Sequence, residues 1–325
     1  MREERSYPLQ VTQTVKSAEG KAASKARAEA RKTSKAVDKC PSGRPKGSRN
    51  KDKQAVVLNP ELLRIQTCLQ MLLKAVCATL PLKYVVMDGH FGNYPSAFMV
   101  RQTKLDLISK LRSDAALSPG VPFAGEYCGR GPRPKYGTRI DVRHMDTKYL
   151  KETTIDGQLR IDIYQVQCLN KEFAFPLNVV IIVKTNLQTG AQAHVILFST
   201  DLQLACAKLV KFYRLRFQIE FNFRDAKQYW GLEDFMNVKE VAVENPVNQA
   251  FFMVHGLSSA LLRPYRLQNP AYSILDLKAH YRGHRYVGET IKMLLKKPDE
   301  VLLQDIFHRI AQLGAIHLLF QQAVT

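Results

Sequence analysis

One uninterrupted stretch, Asp201 to Gly231, constrains the fold more than any other part of this sequence. It is rich in good helix formers, contains no proline, and has no glycine before Gly231. Such a run predicts one long helix. Polar residues recur along it three, four and seven positions apart, so that they share an arc of roughly 60° on one helix face. These residues are Tyr213, Arg216, Glu220 and Lys227, and Arg224 extends the same stripe.

The elements before this stretch alternate between helix and strand, as in an α/β (α+β) protein. Asn59-Pro60-Glu61 combines a helix cap, a first-turn proline and an acidic first turn, and predicts a helix to about Leu80. Tyr84 to Met87 is a short apolar run that predicts a strand, and it is followed directly by Asp88 and a glycine. A helix over residues 94–104 and a strand over residues 107–112 come next.

Residues 113–198 predict a mostly β segment. Apolar residues alternate with polar ones after the Asp156-Gly157 turn, and a second hairpin is predicted around Thr189-Gly190. From Asn245 onward the pattern is helical again, with candidate helices over residues 246–263, 273–296 and 299–312.

The charge of the chain points to a polyanionic partner. The formal net charge is +19, and residues 1–54 hold 15 Lys or Arg against 6 Asp or Glu. Nucleic acid is the first candidate for such an excess, and a merely basic soluble surface is the alternative. The low apolar content of this arm predicts disorder in the free protein.

A short basic motif lies within the arm, around Gly43-Arg44-Pro45 and Lys46. It resembles an AT-hook, in which an extended backbone lays arginine into a narrow minor groove. A flexible basic linker would have the same composition, and both interpretations remain open.

The cysteine pattern and the hydropathy predict a cytoplasmic protein. The six cysteines form no C-x-x-C pair, which is typical of reduced thiols rather than of a disulfide framework. No signal peptide and no apolar run of membrane length are present in the sequence. From the spacing of the histidines we predict no zinc site.

Two carboxylates are the candidate catalytic groups. Asp88 follows the carboxyl end of an apolar strand, where carboxylates of α/β sheets often bind metal or substrate, although an Asp-Gly turn is the commoner role of such an aspartate. Glu220 alone could simply balance Arg216. Together with the cations of the stripe, the two acids suit metal-dependent phosphoryl transfer.

The order Tyr213-x2-Arg216-x3-Glu220-x6-Lys227 resembles the Tyr-Arg-Glu-Lys signature of bacterial insertion-sequence transposases of the DDE superfamily, of the fourth insertion-sequence family type. The resemblance extends from about Lys83 to Asp234. It implies an RNase H-like core, Mg²⁺ (or Mn²⁺) bound by Asp88 and Glu220, and a homodimer acting on transposon-end and target DNA. It also implies that Tyr213, Arg216 and Lys227 contact DNA, and we add Arg224, Arg44 and Lys46 to this set.

The same resemblance assigns Asp88 to the second of three catalytic acids. An RNase H-like sheet begins with three antiparallel strands that carry the first aspartate, whereas here a helix precedes Asp88. We therefore expect an incomplete core and an amino-terminally truncated transposase, whose activity without the first aspartate stays open, with a non-catalytic DNA-binding derivative as the alternative. The expected segments are a disordered basic arm (1–56), the first part of the core (57–112), a β-rich insertion (113–198), the signature helix (199–235) and a helical carboxyl-terminal region (236–325).

Other aspartates are weaker candidates for the missing acid. Asp201 is expected near the start of the long helix, and 19 helical residues to Glu220 would separate them by about 28 Å. Asp162 alternates with Ile161 and Ile163, which predicts a solvated position. Asp141 and Asp146 have no supporting pattern. Trp230 could stack on an extruded base, although a core position is commoner for a lone aromatic residue at a helix end.

Overall fold

The computed structural model describes residues 56–76, 79–120, 135–236, 239–296 and 298–318, together with a few isolated positions before residue 31. The chain divides into two compact units. One is Gly43–Phe217, here called the sheet unit, and the other joins Met1–Ser42 to Gln218–Thr325 and is called the helical unit. Most of the arm that is predicted to be disordered, including Arg44 and Lys46, lies outside the described residues.

The sheet unit contains three helices and seven strands among its described residues. Asn59 caps the first helix as predicted, because its side chain accepts a hydrogen bond from the Leu62 amide at 2.7 Å. Single 3-10 turns occur at Gly89–Phe91 and Thr147–Tyr149. The elements are α1 (Pro60–Val76), β1 (Tyr84–Val86), α2 (Tyr94–Gln102), β2 (Asp106–Leu111), β3 (Leu117–Ser118), β4 (Leu150–Asp156), β5 (Leu159–Asn170), β6 (Leu177–Asn186), β7 (Gln192–Ser199) and α3 (Cys206–Leu215).

All seven strands belong to one mixed sheet. Its order is β1-β2-β7-β6-β5-β3, and β4 also pairs with β5. Only β1 and β2 are parallel, and α2 connects them; the other pairs are antiparallel. The β-rich segment therefore continues the sheet of β1 and β2, with Ile108 opposite Ser199. The mixed α/β architecture is compatible with the predicted RNase H-like fold.

Helices cover both faces of this sheet. Strand side chains point to alternate faces, so that Leu107 packs with residues of α1 and α2 while Ile108 packs with Leu209 of α3. Val179 and Val180 divide in the same way between the two apolar clusters. Burial of both faces explains why the central part of β6, residues 179–183, is continuously apolar.

Both predicted hairpins are present. β4 and β5 are joined at Gly157, and β6 and β7 at Gly190, and both glycines have positive φ angles, of 58° and 68°. This left-handed backbone is favourable for glycine, so the turn signals that the sequence carries are confirmed.

The helical unit contains five α-helices among its described residues. The first two, over Gln218–Trp230 and Glu240–Phe252, pack together through an apolar cluster of Ala226, Leu232, Ala250, Phe251 and Val254. The predicted helix over residues 246–263 begins earlier and is interrupted by a π-helical turn at Met253–Leu257. No helix of the described residues is both long and apolar enough to cross a membrane. The helices are α4 (Gln218–Trp230), α5 (Glu240–Phe252), α6 (Ser258–Gln268), α7 (Ile274–Met293) and α8 (Glu300–Ala311).

The prediction of one helix from Asp201 to Gly231 is wrong. The segment forms α3 and α4, and between them the amides of Arg216 and Phe217 bond three residues back, to Tyr213 and Arg214. Each helix packs into the core of its own unit, through Leu209 in α3 and Ala226 in α4. Helix propensity alone cannot predict that one helix-forming stretch divides between two hydrophobic cores.

Candidate active site

Asp88 lies at the carboxyl end of β1, directly after the last ladder hydrogen bond, from the Met87 amide to the Ile108 carbonyl (2.9 Å). The buried Ser109 hydroxyl donates to the Asp88 carbonyl at 2.9 Å. The backbone is thereby held, while the carboxylate side chain remains 59% exposed. Asp88 is therefore a fixed and accessible acid.

The turn after Asp88 approaches β2 so closely that it requires a glycine. A Cβ atom on Gly92 would lie 2.0 Å from the carbonyl oxygen of Lys110, which no other residue type could tolerate without a backbone shift. The Asn93 side chain then caps α2 by accepting from the Ser96 amide. The position of Asp88 relative to β2 thus depends on local backbone packing.

Arg216 and Tyr213, from the end of α3, meet Asp88 within the sheet unit. The Arg216 Nη1 atom lies 3.7 Å from Asp88 Oδ1, and its guanidinium is 5.9 Å from the centre of the Tyr213 ring. Burial raises the pKa of Tyr213, Asp88 adds to the effect, and Arg216 opposes it. Tyr213 is therefore a protonated hydrogen-bond donor at neutral pH. The structure brings together these three residues of the predicted site.

The other described residues of the predicted site belong to the helical unit. Glu220 is exposed in the first turn of α4. Lys227 is 2.6 Å from Glu233, and Arg224 is 2.9 Å from Asp225. Both cations are about half exposed, so they remain accessible to a phosphate that would replace the carboxylate partner.

Sequence reasoning missed the contribution of β2. Ser109 anchors the Asp88 backbone, and the Lys110 side chain runs beside Gly89. The signal that could have found them is the parallel βαβ connection, since it places β2 next to β1. Knowing the register also requires the pairing of Val86 with Ile108.

Asp201 is at the other end of β1. Its carboxylate accepts hydrogen bonds from Lys83 Nζ at 2.8 Å and from the Tyr84 hydroxyl at 2.7 Å. Burial would raise the pKa of Asp201, but these bonds lower it overall. The helix cap is Ala205, not Asp201, so the expected role of Asp201 near the start of the helix is corrected to a bridge between β1 and the turn before α3.

The predicted solvation of Asp162 is also wrong. Asp162 is only 5% exposed, and its carboxylate accepts hydrogen bonds from the Thr153 hydroxyl at 2.7 Å and from Arg160 Nε at 3.0 Å. Alternation along β5 correctly placed Asp162 on the face opposite Ile161 and Ile163, but that face is buried and not solvated. An aspartate neutralised in this way is a structural residue.

The metal-binding capacity of the described residues is limited. No group of three His, Cys, Asp or Glu side chains among them is arranged to hold an ion. The sequence prediction overlooked that His280 and His284 are four residues apart, and α7 places their rings 4.6 Å apart, but no third ligand joins them. Asp88 has an exposed carboxylate, and Mg²⁺ characteristically binds one or two carboxylates while keeping several waters. Asp88 therefore fits as one ligand of such an ion.

Comparison with known proteins adds one match. Residues 4–166, half of the chain, match a family model described as DDE superfamily endonuclease. The matched range includes Asp88 and β2 and ends before Tyr213 and Arg216. No curated protein matches the chain.

Proposed function

Since this chain belongs to the DDE superfamily of endonucleases, which act on DNA and generally use divalent metal ions, we propose that it is a transposase of the insertion-sequence class. The proposed reaction is hydrolysis of DNA strands at the ends of the element, followed by transfer of the new 3′-hydroxyl into target DNA. The single observation that carries the proposal is the cluster of Asp88, Arg216 and Tyr213 at the carboxyl end of β1.

Asp88 and Glu220 are proposed to hold Mg²⁺. Glu220 is assigned by its place in the Tyr-Arg-Glu-Lys order, and Asp88 by its place at a strand end. The ion, when bound, activates the attacking oxygen and neutralises charge on the phosphate. The attacking water or 3′-hydroxyl forms the new P–O bond, and the 3′-oxygen of the cleaved bond leaves.

Arg216 is proposed to bind the phosphate that is cleaved. Its guanidinium carries a permanent charge and can make two parallel hydrogen bonds to phosphate oxygens. At 3.7 Å from Asp88, it lies where a phosphate approaching that carboxylate would pass. Electrostatic attraction would therefore place the substrate and offset the negative charge that accumulates during the reaction.

Tyr213 is proposed to position the same phosphate. Its raised pKa keeps the hydroxyl protonated, and a protonated hydroxyl donates a hydrogen bond to phosphate where a phenolate would repel it. Lys227 and Arg224 are proposed to grip the adjacent DNA backbone, and Arg44 and Lys46 to bind DNA through the basic arm. The proposed assembly is a homodimer on two DNA ends in the bacterial cytoplasm, bound to the nucleoid.

The decisive experiment is cleavage of labelled duplex DNA by purified protein comprising residues 1–325, with Mg²⁺. The substrate carries the genomic sequence that flanks the gene. We expect Asp88→Asn and Glu220→Gln each to lower the cleavage rate by at least about 100-fold, since each removes a charge that the reaction requires. Asp156→Asn, at an exposed hairpin turn of the same sheet, is the matched control and should cleave normally. Cleavage that survives both substitutions would contradict the assignment.

A second candidate function is DNA binding without catalysis. It is favoured by the observation that the described residues form no group of three metal-binding side chains. In that case the protein would bind duplex DNA but leave it intact with either Mg²⁺ or Mn²⁺, and Asp88→Asn would not change the affinity.

A further inference from the structure

A large open groove lies within the helical unit, apart from the residues proposed for catalysis. Its volume is about 1050 Å³, and α7 forms one long side of it. Pockets for single small molecules measure roughly 300–1000 Å³, so the groove is at the upper end of that range. Its lining includes Trp230, Lys278, Tyr281, Arg282, Arg285 and Tyr286.

Aromatic rings line the groove on two sides. Trp230 packs partly against the core of Ala226 and Phe251 and partly faces the groove. Tyr281 and Tyr286, on α7, are 48% and 64% exposed. Exposed rings that share one groove with apolar Leu257 and Leu261 provide flat surfaces on which another planar ring can stack.

Three cations share the same groove. Lys278 Nζ lies 5.7 Å from the centre of the Trp230 ring, and it is held there by donating to the Tyr229 carbonyl at 2.7 Å. Arg282 and Arg285 are exposed on α7. The one carboxylate of the lining, Glu289, is 2.9 Å from Lys292, so cationic charge predominates in the groove.

The combination of stacking rings and cations selects a ligand that is both planar and anionic. Unpaired nucleotides have this chemistry, because each base exposes a π-face and each phosphate carries a negative charge. Bases within a duplex are already stacked on one another and cannot insert between side chains. We propose that this groove binds unpaired nucleotides of single-stranded DNA. The choice of DNA among planar anions rests on the proposed function.

Trp230 makes the proposal directly measurable, because it is the only tryptophan in the 325-residue chain. A base that stacks on or beside its ring should quench its fluorescence. The test titrates the protein comprising residues 1–325, without metal, with an oligothymidylate of about eight nucleotides, a length within the range that single-strand sites cover. A blunt duplex of equal phosphate content is titrated in parallel. We expect quenching by the single strand and little quenching by the duplex.

Variants on α7 separate stacking from charge. Tyr286→Ala should weaken single-strand binding about tenfold, whereas Tyr286→Phe, which keeps the ring, should bind normally. Arg285→Ala should reduce the slope of log affinity against log salt by about 0.7, the value for one phosphate on a single strand. Arg309→Ala is the matched control, because Arg309 is exposed on α8 of the same unit and does not line the groove.

Three results would overturn the proposal. The first is a single strand that binds, as fluorescence anisotropy shows, without quenching Trp230. The second is equal quenching by the duplex. The third is a change of Trp230 emission with protein concentration in the absence of DNA, which would show that a second copy of the chain fills the groove. Since the titration needs neither metal nor cleavage, its outcome is independent of whether the proposed catalytic reaction occurs.

Discussion

Asp276 is a buried carboxylate that ties the segment around His317 to the first turn of α7. It accepts hydrogen bonds from the Ser273 amide and hydroxyl, at 2.8 and 2.7 Å, and from the Ile316 amide at 2.5 Å. His317 Nδ1 lies 2.9 Å from it. Burial by itself would raise the pKa of Asp276, but the bonds from Ser273, His317 and Ile316 hold it well below its usual range.

We expect Asp276→Asn to destabilise the helical unit by roughly 2–4 kcal/mol at pH 7, because one carboxylate oxygen is replaced by an NH2 group that cannot accept and the remaining oxygen loses its charge. The folded pKa lies below the unfolded value of about 3.9, so the carboxylate contributes its full stability above that pH. This contribution is lost as the pH falls toward the folded pKa. The difference between the two proteins should therefore shrink between about pH 5 and pH 2.

Urea unfolding followed by Trp230 fluorescence measures this difference at each pH, since Trp230 lies in the same unit. Asp305→Asn provides the matched control. Asp305 is 49% exposed and pairs with Arg309 at 2.8 Å on the surface of α8, where such pairs contribute about 0–1 kcal/mol. Equal stability of Asp276→Asn and the unsubstituted protein at pH 7 would contradict the structural role of Asp276.

At the scale of the element, α7 carries two glycines with opposite surroundings. A Cβ atom on Gly283 would lie 2.7 Å from the Ile310 carbonyl and 3.1 Å from the Ala311 Cα, both on the backbone of α8. On Gly288 it would meet no atom within 4 Å. Close approach of α7 and α8 therefore depends on Gly283, whereas Gly288 is an ordinary helical position.

We expect Gly283→Ala to destabilise the helical unit by about 1–3 kcal/mol through overpacking against α8. Gly288→Ala should instead stabilise it by about 0.5–1 kcal/mol, because alanine loses less backbone entropy in a helix. Both values follow from urea unfolding monitored at Trp230. A Gly283→Ala protein as stable as Gly288→Ala would show that the two helices separate without cost.

At the scale of the whole molecule, the charge of +19 should dominate DNA affinity. Replacing Arg44 and Lys46 together by alanine is expected to lower the slope of log affinity against log salt by about 2, or roughly 0.9 per lost phosphate contact. Gel-shift titrations at several salt concentrations measure this slope, with Arg309→Ala as the control for loss of charge elsewhere.

The same double variant separates the two interpretations of the basic motif. If Gly43-Arg44-Pro45 enters a narrow minor groove, affinity should fall more for A·T-rich duplexes than for G·C-rich ones. A flexible basic linker would produce equal losses on both DNAs. Measurement on two duplexes of equal length therefore decides between them.

Local signals in the sequence were sufficient for several elements of this protein. The Asn59 cap, the glycine turns at Gly157 and Gly190, and the apolar run that ends at Asp88 depend on interactions between residues close in sequence. Alternation and helical periodicity reveal which face of an element is apolar. They predicted the α/β class, both hairpins and the strand-end position of Asp88.

Tertiary structure decided the features that depend on distant partners. Pairing of β2 with β7 places Ile108 opposite Ser199. It joins into one sheet two segments that the sequence analysis assigned separately, to the first part of the core and to a β-rich insertion. Packing of α3 and α4 into different cores divides the predicted long helix at Arg216, and the α3 end then places that arginine beside Asp88. A pattern shows that a surface will be buried, but its partner is determined by which non-local contacts bury the most apolar area and satisfy the most polar groups.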